Sequence, residues 1–160
     1  MITRTRLIAL GLGALGASLS PMTPEHLMGA RAAQTGASGT VVTGRQVTAP
    51  GGSYMDASPT QVQALLHRQH VTLVNVHIPY AGEIARTDLF IPFDTIDRNR
   101  GKLPHDKGAL VILYCRSGHM SIIAAKRLVR LGYRNVWNLA GGMNAWHTQG
   151  LPLLFKAHRT

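Results

Sequence analysis

The stretch from Val111 to Leu128 constrains this 160-residue chain most, because it sets the single cysteine, Cys115, between an apolar strand and an amphipathic helix. Leu110 to Tyr114 is a short, almost wholly apolar run of the kind that a parallel strand buried on both faces shows. From Ile122 the apolar positions fall at helical spacing, through Ile123, Ala124, Leu128 and Leu131. The turn between the two elements is Cys115 to Met120. Chain that leaves the carboxyl end of a strand and starts a helix at once points several free backbone N–H groups into one small volume, and the helix dipole adds partial positive charge. Such a pocket favours an anion, and at a sulfur on its rim it favours the thiolate over the thiol. Arg116 and His119 add side-chain donors, and Gly118 admits a backbone angle that other residues resist. The bland alternative is a buried apolar cysteine, since free cysteine is among the most buried residue types.

Three further stretches bear on that choice. Val136-Trp137-Asn138-Leu139-Ala140-Gly141-Gly142-Met143-Asn144-Ala145-Trp146, followed by Gly150 and Pro152, reads as strand, double glycine and helix. Leu128-Val129-Arg130-Leu131-Gly132-Tyr133 reads as a helix end with a glycine before the next strand, and Leu73-Val74-Asn75-Val76 as another short strand. With the six-residue loop Cys115 to Met120, closed by Ser121, these motifs resemble the rhodaneses, the single-domain sulfurtransferase family, over Ser58 to Pro152. The resemblance rests on the loop's length, its leading Cys-Arg, its central glycine and the Gly-Gly-to-Trp signature.

The resemblance implies an α/β fold, a rhodanese-like three-layer sandwich with a mainly parallel central sheet flanked by helices on both faces. It implies an enzyme of the thiosulfate:cyanide class, with Cys115 as the catalytic nucleophile that carries sulfur as a persulfide. Arg116, Ser117, Gly118, His119, Met120 and Ser121 would form the substrate-binding loop, Arg116 orienting the donor and Ser117 hydrogen-bonding it. No cofactor and no metal is called for. The partners are a small anionic sulfur donor and a thiol or cyanide acceptor, with a partner protein's thiol as a further candidate. Relatives commonly carry an acidic residue and then arginine where this chain has Asn75 and His77. They carry a Gly-His-Ile-Pro-Gly turn where it has Thr87 to Pro92, and many end the loop in a polar or basic residue where it has Met120. Thiosulfate is the assay substrate so implied, while the natural sulfur source could be a persulfide on another molecule.

Other activities share the same parts. Phosphatases and arsenate reductases also use a cysteine in a strand-to-helix cradle, but they place an arginine six positions after it, where this chain has Ser121. Without that guanidinium a transferring phosphoryl group lacks its bidentate clamp. A non-catalytic binding module on the same fold, or a thiol and sulfur relay to a partner protein, would keep the fold and differ in turnover.

Helical and strand-like patterns alternate as in one α/β domain. Residues 1–33 read as a signal peptide: Arg4 and Arg6 precede an apolar stretch from Leu7 to Leu19, and small residues cluster at Ala30, Ala32 and Ala33. Glycines at 11, 13 and 16 argue against a core helix there. The pattern predicts Sec-type export to a bacterial periplasm, with membrane contact only if the leader stays uncleaved. In that oxidising setting a lone cysteine forms no internal disulfide and would rest free, as a persulfide or as a mixed disulfide. Residues 34–53, rich in Gly, Ala, Ser and Thr, read as a flexible linker with one short strand around Val41 to Val47. Residues 54–155 form the rhodanese-like domain and 156–160 a tail. Ser58-Pro59-Thr60-Gln61 has the form of a capping box, opening a helix to Arg68 whose Val62, Leu65 and Leu66 face inward. Strands are predicted over Thr72 to Val76, Phe90 to Pro92, the run before Cys115, and Asn135 to Asn138.

The formal charge of +10 invites a nucleic-acid role. Without residues 1–33 the chain keeps 14 basic and 6 acidic residues, so it stays basic at +8. No nucleic-acid motif accompanies this charge, and the aromatic residues are too dispersed for a stacking platform. Lys126, Arg127, Arg130 and Arg134 read as a solvated helix face, and the net charge would steer anionic donors to the loop or draw the protein to an anionic membrane surface. Among eight histidines, His67 and His70 lie three apart but find no third ligand of matching spacing. Trp146 reads as core packing on the last helix.

Overall fold

The computed structural model describes residues 33–35, 41–68 and 70–156. Among the described residues, ten strands and three α-helices follow in the order β1 (Ala33–Thr35), β2 (Val41–Thr43), β3 (Arg45–Ala49), β4 (Gly52–Ala57), α1 (Pro59–Arg68), β5 (Thr72–Asn75), β6 (Glu83–Ile84), β7 (Leu89–Phe90), β8 (Val111–Tyr114), α2 (His119–Arg130), β9 (Val136–Leu139), α3 (Gly142–Thr148) and β10 (Leu153–Leu154). A 3-10 turn spans Arg100–Lys102. The main sheet runs β3-β4-β9-β8-β5-β7; β3 pairs antiparallel with β4 and every other neighbour is parallel. Two short antiparallel pairs, β1 with β2 and β10 with β6, stand beside it.

Strand β8 is central and buried on both faces, as its unbroken apolar run requires. Val111, Leu113 and Cys115 turn to one face, where Ala124, Ala125, Leu128 and Val129 of α2 cover them. Ile112 and Tyr114 turn to the other, where α1 packs Val62, Leu65 and Leu66 and α3 packs Met143 and Trp146. The result is the expected three-layer α/β sandwich. The carboxyl ends of β5, β8 and β9 share one edge, the place where open α/β sheets bind ligands.

The predicted elements stand with three differences. Composition reads 34–53 as a linker with one short strand around Val41 to Val47; the structure has β2 and β3 there and a third strand, β4, after them, and Ala49 and Tyr54 are buried in the core. The reason is turn chemistry. Pro50-Gly51 closes a hairpin in which Ala49 pairs with Gly52, and Gly51 takes φ +92°, a conformation that glycine adopts freely. The strand expected over Phe90 to Pro92 is the two-residue β7, ending before the proline. The helix expected from Ile122 begins at His119, so His119, Met120 and Ser121 form its first turn. The capping box is present: Ser58 N–H donates to Gln61 Oε1 at 2.8 Å and Gln61 N–H to Ser58 Oγ at 3.3 Å. The predicted leader lies, up to residue 32, outside the described residues, as do residues 157–160 of the tail. Among the described residues, no helix is long and apolar enough to cross a membrane.

Candidate active site

Strand β8 ends at Tyr114, and Cys115 follows it as a buried residue with 1% of its surface exposed. The chain then turns through Arg116, Ser117 and Gly118. Gly118 sits at φ 97° as the residue before α2, and a side chain there would also press on the backbone N of Gly141 at 3.3 Å. This turn folds the backbone back onto the sulfur, so that Gly118 N–H donates to Cys115 Sγ at 3.1 Å. Ser121, fully buried in the first turn of α2, lies within reach of Sγ at 3.6 Å and donates to Gly118 C=O at 3.0 Å. The first internal bond of α2 runs from Ile122 N–H to Gly118 C=O. The N–H groups of its opening turn therefore stand at the positive end of the helix dipole, beside the sulfur.

The other wall of the loop is the start of α3. Met143 N–H donates to Cys115 C=O and Asn144 N–H to Arg116 C=O, both at 2.9 Å. In a trans peptide the C=O and the following N–H point in opposite directions, so these bonds turn the N–H groups of Arg116 and Ser117 away from α3. Only a double glycine permits this approach. A Cβ on Gly142 would lie 2.2 Å from Cys115 C=O, and one on Gly141 would lie 2.6 Å from the Ala145 methyl. The Gly-Gly signature is thus a positioning device, a role that the sequence marks only as a motif.

The loop residues divide by task. Gly118 and Ser121 reach the sulfur. Met120 is half-buried and packs against the core on the α2 face. Ser117 and His119 are exposed, and Arg116 is exposed at the edge of a cleft. Ser121 occupies the position where a phosphatase-type loop would carry its arginine.

Asn75 and His77 depart from the family pattern, and the structure gives both a place. Asn75 is fully buried; its amide donates to Gly82 C=O at 3.0 Å and accepts His77 N–H at 3.0 Å, a donor-and-acceptor task that a carboxylate cannot fill. Val76 N–H continues the ladder onto Tyr114 C=O, which sets His77 beside Arg116. Burial first, and the Arg116 charge second, push His77 below its ordinary pKa. Its Nδ1 is buried and, among the described residues, finds no hydrogen-bond partner. His67 and His70 are exposed at and beyond the end of α1, and among the described residues no group of three or more His, Cys, Asp or Glu side chains could hold a metal.

Comparison with known proteins gives one consistent result. The family described as Rhodanese-like domain matches residues 58–149. A sulfurtransferase of Allochromatium vinosum is 36% identical over 96 residues, a match covering 58% of this chain and 86% of that protein. The crystal structure of a rhodanese-like domain protein from Staphylococcus aureus superposes with a TM-score of 0.52 at 26% identity, over 64% of this chain and 98% of that one. A rhodanese-related protein from Thermoplasma volcanium shares the fold with a TM-score of 0.55 at 22% identity, over 63% of this chain and 98% of that one.

Proposed function

The chain belongs to the rhodanese-like family of sulfurtransferases, and from that premise we propose that it transfers sulfane sulfur as a persulfide on Cys115 and is an enzyme of the thiosulfate:cyanide class. The observation that carries this reading is Gly118 N–H donating to Sγ at the start of α2, with the Ser121 hydroxyl, now on Gly118 C=O, close enough to turn its one proton toward the sulfur. Donors so placed stabilise a sulfur anion, first the thiolate and then the terminal sulfur of the persulfide, as an oxyanion hole does for oxygen.

The reaction takes two displacements. The Cys115 thiolate attacks the outer sulfur of thiosulfate, the S–S bond of the donor breaks, and sulfite leaves with the bonding pair. The resulting Cys115 persulfide then meets a nucleophile such as cyanide, which bonds to the terminal sulfur while Cys115 departs as thiolate and thiocyanate forms. Arg116, exposed one residue from the nucleophile, orients the anionic donor. A persulfide on another molecule serves as donor by the same displacement. The export reading of residues 1–33 adds a periplasmic setting, in which sulfur resting on Cys115 would shield the thiol from oxidation.

Steady-state formation of thiocyanate from thiosulfate and cyanide tests the proposal. The expected result is ping-pong kinetics with the wild-type protein and no turnover with Cys115→Ser. Turnover retained by the serine variant, or absent from the wild type, would contradict it.

A further inference from the structure

The charge of this chain is unevenly placed. Residues 94–107 and 126–134 hold eight Lys and Arg against three Asp, a net of +5, while the rest of residues 41–156 holds five basic residues against three acidic ones. Two of the three Asp are engaged already. Asp97 pairs with Arg127 at 3.3 Å, and the Asp106 carboxylate accepts Gly108 N–H at 2.8 Å. Arg98, Arg100, Lys102, Lys126, Arg130 and Arg134 are exposed, and Arg127 and Lys107 are half-buried.

The fold joins the two segments into one face. Arg127 Nη1 donates to Asp94 C=O at 2.6 Å, Tyr133 Oη to Pro104 C=O at 3.0 Å and Arg134 N–H to Lys107 C=O at 2.8 Å. Lys107 Nζ stands 3.6 Å from the centre of the Tyr133 ring. Ile96 and Leu103 are buried in the same core as Leu128 and Val129, which fixes the backbone beneath the charges. Where α2 ends, the Pro50-Gly51 hairpin closes on it, so that a Cβ on Gly51 would lie 3.4 Å from Arg130 Cα. A hollow of about 400 Å³ opens at this corner, lined by Gly51, Gly52, Ser53, Gly132, Tyr133 and Arg134. Clefts of several hundred Å³ are the size that holds organic groups. The corner is remote from the sulfur. Cys115 lies at the opening of α2, and a helix of 12 residues spans about 18 Å at 1.5 Å per residue.

We infer that this face seats the protein on an anionic phospholipid surface, with Arg134 at the hollow and Arg130 beside it meeting headgroup phosphates. Cations spread over two segments match a plane of many like anions, which lipid headgroups present and a small donor such as thiosulfate does not. The exposed large hydrophobic residues among the described ones, Phe90, Leu154 and Phe155, lie outside both segments, and Tyr133 is buried. The face therefore offers neither an apolar seat for a protein partner nor a ring on which a base could stack. Its contact is with charge at the headgroup plane. The opening turn of α2, and Cys115 with it, stays at the far end of the helix from the hollow.

The test sediments the full chain with sucrose-loaded vesicles, comparing phosphatidylglycerol and phosphatidylcholine in equal parts with phosphatidylcholine alone. The readout is the ratio of the two partition coefficients, so that apolar insertion by residues 1–33, which acts on both vesicles, cancels. The expected ratio is well above one for the wild type and falls about thirtyfold in the Arg130→Gln, Arg134→Gln double variant, about fivefold for each charge lost. A second variant removes the same charge elsewhere, with Arg86→Gln and Lys156→Gln, and keeps the wild-type ratio within about twofold, since charges outside the contact are screened. Sodium chloride drives the wild-type ratio toward one. A wild-type ratio near one at low salt, or equal loss in both double variants, overturns the inference. Duplex DNA that strips the protein from anionic vesicles at equal phosphate concentration also overturns it, and makes nucleic acid the ligand of this face.

Discussion

The Ser121 hydroxyl has one proton and two acceptors in reach, Gly118 C=O at 3.0 Å and Cys115 Sγ at 3.6 Å, and a sulfur anion draws that proton toward itself. Ser121→Ala removes the donor while leaving the loop backbone in place. The rate of persulfide formation from thiosulfate should fall about tenfold, the size of one such hydrogen bond in the transition state; rapid-mixing kinetics measures it. Glycines separate positioning from mere conformational need. Gly142→Ala would drive a methyl to 2.2 Å from Cys115 C=O at a positive φ of 58°, whereas Gly132, at φ 86°, has open space around it. Gly142→Ala should therefore cost about 3 kcal/mol and most of the activity, and Gly132→Ala about 1 kcal/mol with activity retained. Urea titration together with turnover reads both.

At the scale of elements, the junction of β8 with the loops before β7 hangs on Tyr114. Its hydroxyl accepts Ile84 N–H at 3.1 Å and shares a hydrogen bond with Thr87 Oγ1 at 2.6 Å. Burial pushes its pKa up to about 12, above the ordinary 10. The raised value means that this contribution to stability is complete below pH 10 and is lost as pH climbs toward 12, where the unfolded chain ionises first. Tyr114→Phe should destabilise the protein by about 1–3 kcal/mol at neutral pH, by leaving Ile84 N–H unpaired, and should flatten this alkaline loss. Thermal unfolding across pH 8 to 12 checks both parts. Sequence pattern locates β5, β8, α2 and β9 to within a few residues, because buried strands and amphipathic helices advertise themselves by period. Over residues 41–57 it offers one strand, Val41 to Val47, where β2 and β3 lie, and misses β4 and the hairpin, whose local mark is Pro50-Gly51 and whose Ala49, Tyr54, Met55 and Ala57 are buried. It also cannot show that the start of α3 holds the cysteine loop, since that contact joins residues far apart in the chain.

For the molecule as a whole, the net charge of +10 acts on encounter more than on chemistry. A dianionic donor approaching a basic protein is drawn in by a field that salt screens over about 10 Å at 0.1 M. Raising ionic strength should lower kcat/KM for thiosulfate severalfold while leaving kcat nearly constant, and steady-state rates in a sodium chloride series measure it. The site itself is one constellation made by three elements: β8 delivers the sulfur, α2 surrounds it with donors, and α3 fixes the loop's carbonyls outward. The most direct test of that account is intact-mass spectrometry of the full chain and of Cys115→Ser, before and after thiosulfate and then after cyanide. The account predicts that the wild type gains one sulfur atom and loses it as thiocyanate appears, while the variant does neither. A wild-type protein that gains no sulfur from thiosulfate or from a persulfide donor would contradict it.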